Sequence, residues 1–255
     1  MAIWSIRVAI LATLLISWEL TSGRLFSPFF ISSPSAIATT LWEWIQSGRL
    51  FSHAAITIIE AVSGFVLGGL IGMTVGVILG QSRLLAEILD PFIMVFYSLP
   101  KIALAPLFVL WFGVGIDMKI ILTATVVFFL VFLNTYTGVR NVSRELIAIL
   151  GLMGASRRDI LMKVVLPSAV TWVFAGLRLS VPYALIGAIV GELIAANQGL
   201  GYLLADASGQ FDTAGVFAAL VAIVILAMLL NLTVKAIEKR AMPWRQEQDQ
   251  REFSI

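Results

Sequence analysis

"GFVLGGLIGMTVGVILG", residues 64–80, decides the architecture. It holds no charged residue and closes an apolar run over 56–80, long enough for the roughly 20 residues of helix that cross a bilayer core. Glycine recurs at Gly64, Gly68, Gly72, Gly76 and Gly80, every fourth position, so all five share one helix face. Such a face opens a groove in which a second helix can approach closely, held by van der Waals packing; packing alone accounts for the pattern, and a functional reading adds that such faces can slide or rock.

Further apolar runs of spanning length fall at 3–21, 91–113, 118–138, 172–195 and 214–236. Hydrocarbon offers no water to backbone groups, so these runs are read as helices; the alternation of an outer-membrane barrel is absent. Composition agrees, with 60% hydrophobic and 13% charged residues among 255 and a mean hydropathy of +0.99. The expectation is an all-α polytopic membrane protein of about six transmembrane helices, in a single domain over 1–255. The run at 3–21 lacks a clear small-residue cleavage site and is read as a retained first span.

Charge and residue types exclude several chemistries. A net charge of +2 gives no argument for nucleic acid. There is no cysteine, and the lone His53 cannot build a metal cluster. An intramembrane enzyme would need paired aspartates within spans, a serine–histidine pair or a metal motif, and none is present, so no catalytic residues are assigned.

Lysine and arginine distribution sets the topology. With the N-terminus inside, the cytoplasm receives Arg7, Arg83, Arg140, Arg144, Arg157, Arg158, Lys163 and the tail from residue 237 to 255; the outside receives Arg24, Arg49 and Lys119. Both termini are therefore placed in the cytoplasm. Outside, residues 35–45 read as a short interfacial helix anchored by Trp42 and Trp44, and 197–213 as a second loop carrying Asp206 and Asp212.

Within the third run Pro100 and Pro106 remove backbone bonds, and Pro182 does so in the fifth. Broken helices at membrane depth line cavities, which points to a pathway between spans three and five, although purely structural bundles carry such kinks as well. Lys101, beside Pro100, is the candidate for attracting an anion there. Asn134, Tyr136 and Tyr183 are polar groups that line the route or make ordinary interhelical hydrogen bonds. Glu192 is a candidate outer gate or contact for an outside partner. Arg178 is expected to snorkel or to pair with Glu87 or Asp90.

The segment 139–171 is a charged island in an oily chain. Ser143 is a good N-cap with Glu145 in the first turn, and Leu146, Ile149, Leu150 and Met153 follow on one face. Gly154 stands where a left-handed residue ends a helix, with Ala155 next in the turn. Ser156 and Asp159 have capping-box spacing, and a short helix through Arg157 and Arg158 is expected to run until Pro167 breaks it. A solvated loop would account for Arg157 and Arg158 alone; two capped helices with an apolar stripe suit a docking surface.

"GASRRDILMKVVLPSA", residues 154–169, resembles the conserved cytoplasmic EAA loop of ABC-importer permeases, through Gly154, the aliphatic Val164 ten positions on, and Leu166-Pro167. "FISSPSAI" (30–37), "SLPKIALAPLFVLWFGVG" (98–115) and "AGLRLSVPYALIGAIVGELIAANQGLGYLL" (175–204) resemble the nitrate, sulfonate, taurine and thiamin-precursor subgroup. The family's Glu-Ala-Ala is Ala148-Ile149-Leu150 here, which removes an acidic docking contact but leaves the helical shape. The resemblance implies a type I ABC-importer permease fold in the bacterial inner membrane, working as a homodimer. Two cytoplasmic ATP-binding subunits would grip residues 145–159, and an extracytoplasmic substrate-binding protein would deliver a small nutrient. No phosphate-binding G-x-x-x-x-G-K-[ST] loop occurs, so ATP and magnesium belong to the partner and this chain binds no cofactor. The alternative is an ATPase-independent channel or scaffold.

Overall fold

Every fourth residue of α3 (Arg49–Gln81) lies against α6 (Ile116–Arg140), and the two helices run together for most of their length. A methyl group at Gly72 would stand 2.7 Å from the Phe128 carbonyl oxygen, and one at Gly80 2.7 Å from Val139 Cβ. The glycine face is therefore occupied by the backbone and branched side chains of α6, which supply the volume that α3 omits. An adjoining face of α6 receives α9 (Leu166–Ala195) through the same device, with Thr123 and Val131 touched from both helices. There Gly176 meets Asn134, Gly187 meets Thr123 and Gly191 meets Lys119. Val127 and Val131 are fully buried between the flanking helices, together with Ala184.

The computed structural model describes residues 2–25 and 27–241; of the predicted tail, 242–255 lie outside the described residues. Among the described residues five helices are long and apolar enough to cross a membrane: Trp4–Thr21, Arg49–Gln81, Ile116–Arg140, Arg158–Ala195 and Thr213–Ala241. A sixth span is formed if α4 (Arg83–Ser98) is taken with the arm Lys101–Phe112, which includes α5 (Ala105–Phe112). These two arms meet at 78°, so the third apolar run is not one straight rod. Leu99 is extended, as a residue before proline must be, and Pro106 sits in the first turn of α5, where a missing N–H costs nothing.

The other two expected breaks do not occur. The helix runs unbroken from α8 (Arg157–Ile160) through a π-helical turn, Leu161–Val165, into α9. In that turn the Leu166 N–H reaches the Leu161 carbonyl, five residues back. The wider turn makes room for the Pro167 ring where a regular turn would clash with the carbonyl four residues earlier. Pro182 is likewise carried inside continuous α9.

At one end of the bundle, α2 (Pro34–Gln46) and α10 (Leu200–Gly209) cap a core with α11 (Thr213–Ala241). The segment read as a loop over 197–213 is largely this helix α10, which buries Leu200, Gly201, Leu203 and Ala207. Trp42 is exposed as expected of an interfacial anchor, but Trp44 is buried in that core under the Arg49 guanidinium. α1 (Ala2–Thr21) exposes nearly its whole surface and touches the rest near its end, where Trp18 donates to the Ser32 carbonyl at 2.7 Å and Glu19 accepts from the Ser35 N–H at 3.0 Å and Ser35 Oγ at 2.7 Å. The other end of the bundle carries α7 (Arg144–Leu152).

Candidate functional site

Residues 143–163 fold into a hook whose shape is fixed by local bonds. Ser143 Oγ accepts from the Leu146 N–H at 3.2 Å and opens α7. At its end Gly154 adopts φ +84°, while the Ala155 N–H reaches the Leu150 carbonyl at 3.0 Å and the Gly154 N–H reaches Gly151 at 3.1 Å. This six-to-one and five-to-two pair is the Schellman closure. The reciprocal capping box then starts α8: the Asp159 N–H donates to Ser156 Oγ at 3.1 Å and the Ser156 N–H to Asp159 Oδ2 at 3.3 Å. Lys163 pairs with Asp159 Oδ1 at 2.6 Å.

One side of the hook is anchored. Ile147, Ile160 and Leu161 pack on Val139, Val142, Val165 and Ala169 at the end of the bundle. Among the described residues the other side has no partner. Leu152 is 90% exposed and Met153 77%, with Leu146 and Ile149 half-exposed beside them. A recess of about 290 Å³ between the two helices is lined by Leu150, Met153, Gly154, Ala155, Asp159 and Lys163. Glu145 and Arg158 are exposed next to it; of Arg157 only the backbone is described.

At the opposite end an ionic knot ties the central helices. Lys119 Nζ donates to Glu60 Oε1 at 2.8 Å, with Lys119 5% and Glu60 0% exposed. Glu192, 1% exposed, lies beside Glu60 and accepts from Thr57 Oγ1 at 2.6 Å and from the Gly201 N–H at 2.6 Å. Thr57 Oγ1 in turn accepts from the Leu200 N–H at 2.8 Å, and His53 Nδ1 accepts from Gly199 N–H at 3.0 Å. A side chain at Gly201 would come 2.8 Å from Glu192 Oε2, so the glycine is what lets the carboxylate reach the backbone. The knot joins α3, α6, α9 and the start of α10.

Between these ends lies a recess of about 300 Å³ lined by Tyr97, Lys101, Val126, Phe129, Leu130 and Tyr183. The Lys101 ammonium sits 4.7 Å from the Tyr97 ring centre and 4.5 Å from that of Phe129, and donates to the Tyr97 carbonyl.

Residues 68–243 match the family model described as the inner membrane component of binding-protein-dependent transport systems. The chain belongs to that family. Among curated relatives the permease is 32% identical to the putative aliphatic sulfonates transport permease SsuC of Bacillus subtilis, over 95% of this chain and 88% of the relative. It is 32% identical to the formylaminopyrimidine transport permease ThiX of Halalkalibacterium halodurans, over 92% and 94%. Against the taurine transport permease TauC of Escherichia coli it is 31% identical, over 95% and 90%. In fold the permease resembles a chain of the inward-facing MetNI methionine ABC transporter, with a TM-score of 0.63 at 23% identity, covering 72% of this chain and 92% of that one.

The permease brings together only some of the residues singled out from sequence. Lys101 and Tyr183 share the midspan recess. Asn134 instead donates to the Leu130 carbonyl of its own helix at 2.8 Å, facing Gly176. Tyr136 accepts from Arg140 at 2.9 Å, and Glu192 is enclosed in the knot rather than presented to a partner. Arg178 pairs with Glu238 of α11, not with Glu87 or Asp90. Its place between two spans puts Lys119 with the outer charges in the sequence. Its burial opposite Glu60 is a long-range fact, and the one signal for it was a carboxylate and an ammonium both lying in otherwise apolar runs.

Proposed function

We propose that this permease is the transmembrane subunit of an ATP-driven importer, working as a homodimer, with residues 144–163 docked in a groove of a cytoplasmic ATP-binding subunit. One observation carries the reading. The hook displays Leu152 and Met153 almost fully to solvent on a turn locked by a Schellman closure and a capping box. Large apolar side chains held rigidly outward mark an interaction surface. Its anchored side continues through the π turn into α9, so a displacement of the hook passes along one continuous helix to the glycine contacts with α6. Closure of the ATP-binding subunits on ATP would thus tilt α9 against α6 and switch the side to which the pathway opens.

Membrane placement follows the lysine and arginine bias, with the hook and both termini in the cytoplasm and the end bearing α2 and α10 facing the substrate-binding protein. The named relatives carry sulfonates, taurine and a pyrimidine, which favours a small nutrient of that kind as cargo. ATP and magnesium are held by the partner. The test is co-purification of an ATP-binding subunit with the wild-type chain and with Gly154→Trp. The wild type should retain the subunit and the variant should lose it while keeping its thermal stability in detergent. Retention by both would overturn the assignment of the hook, and absence of any such subunit would favour a free-standing channel.

A further inference from the structure

The recess at Lys101 has a chemistry that the family assignment leaves open. Among the described residues no carboxylate pairs with this ammonium; its neighbours are the Tyr97 carbonyl and two aromatic rings. The recess lies beside the middle of α6, at Val126–Leu130, and beside Tyr183 in the middle of α9. An uncompensated cation at that depth costs several kcal/mol in hydrocarbon, so it faces water or an anion. The 78° bend between α4 and the Lys101–Phe112 arm supplies the irregular backbone that membrane proteins tolerate only where it lines a cavity or is buried in protein. By contrast Lys119 on α6 is neutralised by Glu60, and Arg178 on α9 by Glu238.

We infer that this recess is a midspan binding subsite for a small organic monoanion, with its oxyanion headgroup on Lys101 and its apolar body against Val126, Phe129 and Leu130. The inference rests on the importer reading only for its place on the route of the cargo; the site itself follows from the geometry. A volume of about 300 Å³ suits a ligand of a few heavy atoms. The lining offers one cation and no acid, and its ring faces and the Tyr97 carbonyl are already engaged by Lys101, so it favours a single negative charge over a cationic ligand. The rings over Lys101 restrict where the ammonium can point, which orients the headgroup before the ligand arrives.

The chain has no cysteine, so a single thiol can be placed in the recess and read without background. Tyr183→Cys and, separately, Leu130→Cys are made with Lys101 intact, and the permease is reconstituted in lipid nanodiscs with whatever subunits co-purify. Each thiol is reacted with anionic sulfonatoethyl methanethiosulfonate and with cationic trimethylammonioethyl methanethiosulfonate. Relative to an exposed Met153→Cys thiol, the ratio of anionic to cationic reaction rates should rise by about tenfold or more, the scale on which a cleft of one charge concentrates its counter-ion. Adding Lys101→Gln should erase the preference. Butanesulfonate should protect the thiol only when Lys101 is present, and butanol should not protect it. A rate ratio at both thiols unchanged from that of Met153→Cys would overturn the proposal. So would absence of reaction in the recess when an exposed Met153→Cys on the same chain reacts. Rates of thiol modification need no ATP, so loss of the ATPase partner and failure of the subsite give separate readouts.

Discussion

Lys119 and Glu60 stand 59 positions apart in sequence, on α6 and α3, and their charged atoms meet at 2.8 Å with both side chains out of solvent. The Glu192 carboxyl closes on the same point and clasps the backbone at the start of α10 through Gly201. Desolvating these groups is costly, and the pair holds because each member compensates the other. Removing one alone leaves a buried unpaired charge, whose penalty is about 3–5 kcal/mol. Lys119→Met should therefore destabilise the permease strongly, whereas Lys119→Met with Glu60→Gln should recover much of the loss. Thermal unfolding in detergent for the wild type, both single variants and the double variant measures the coupling. Additive effects would contradict the pairing.

Arg49 and Asp206 offer a control. They also pair at 2.9 Å across a long sequence distance, but both stay partly exposed. Surface pairs contribute about 0–1 kcal/mol and are screened by salt. Arg49→Ala should shift the unfolding temperature little, and less still at high ionic strength, in the same assay that registers Lys119→Met.

The glycine face makes a steric prediction. A methyl at Gly72 would stand 2.7 Å from a backbone oxygen that has nowhere to retreat, and one at Gly68 would stand 2.9 Å from Ala124 Cα. Gly72→Val should separate α3 from α6 and cost at least the roughly 1–3 kcal/mol of ordinary overpacking. Gly151, with open space around it, should accept alanine without steric cost. Folded yield after extraction, with melting temperature, compares the two.

These contacts show how far sequence carries. The glycine spacing on α3 was plain because helical period maps directly onto a face. That α6 fills it was not, since any apolar helix would serve. The hook was legible down to its caps, Ser143, Gly154, Ser156 and Asp159, because capping is a property of three or four adjacent residues. Pro167 misled: a helix break is its local preference, and a π turn relieved the clash instead. Sequence position suggests Glu192 as an outer gate or partner contact and Arg178 as a snorkelling side chain or a partner of Glu87 or Asp90, whereas burial in the fold brings them to Thr57, Gly201 and Glu238.

The hook's internal bonds should be separable from its docking face. Ser156→Ala removes the cap that accepts from the Asp159 N–H, a change worth about 1 kcal/mol of local helix stability. It should weaken retention of an ATP-binding subunit modestly. Met153→Asp leaves every cap in place and should weaken retention far more, since it puts a charge on the most exposed apolar face. Equal effects would indicate that the turn's shape, not its apolar tip, makes the contact.

Directionality of the hook is the most exposed claim. In this cysteine-free chain, Met153→Cys carrying a maleimide-linked benzophenone places a photo-crosslinker at the tip of the hook. Irradiation of membranes holding the assembled importer should join the permease to its ATP-binding subunit, with a yield that changes when ATP is added. Capture of the substrate-binding protein, or labelling of Met153→Cys only by reagents applied from outside the cell, would contradict the account.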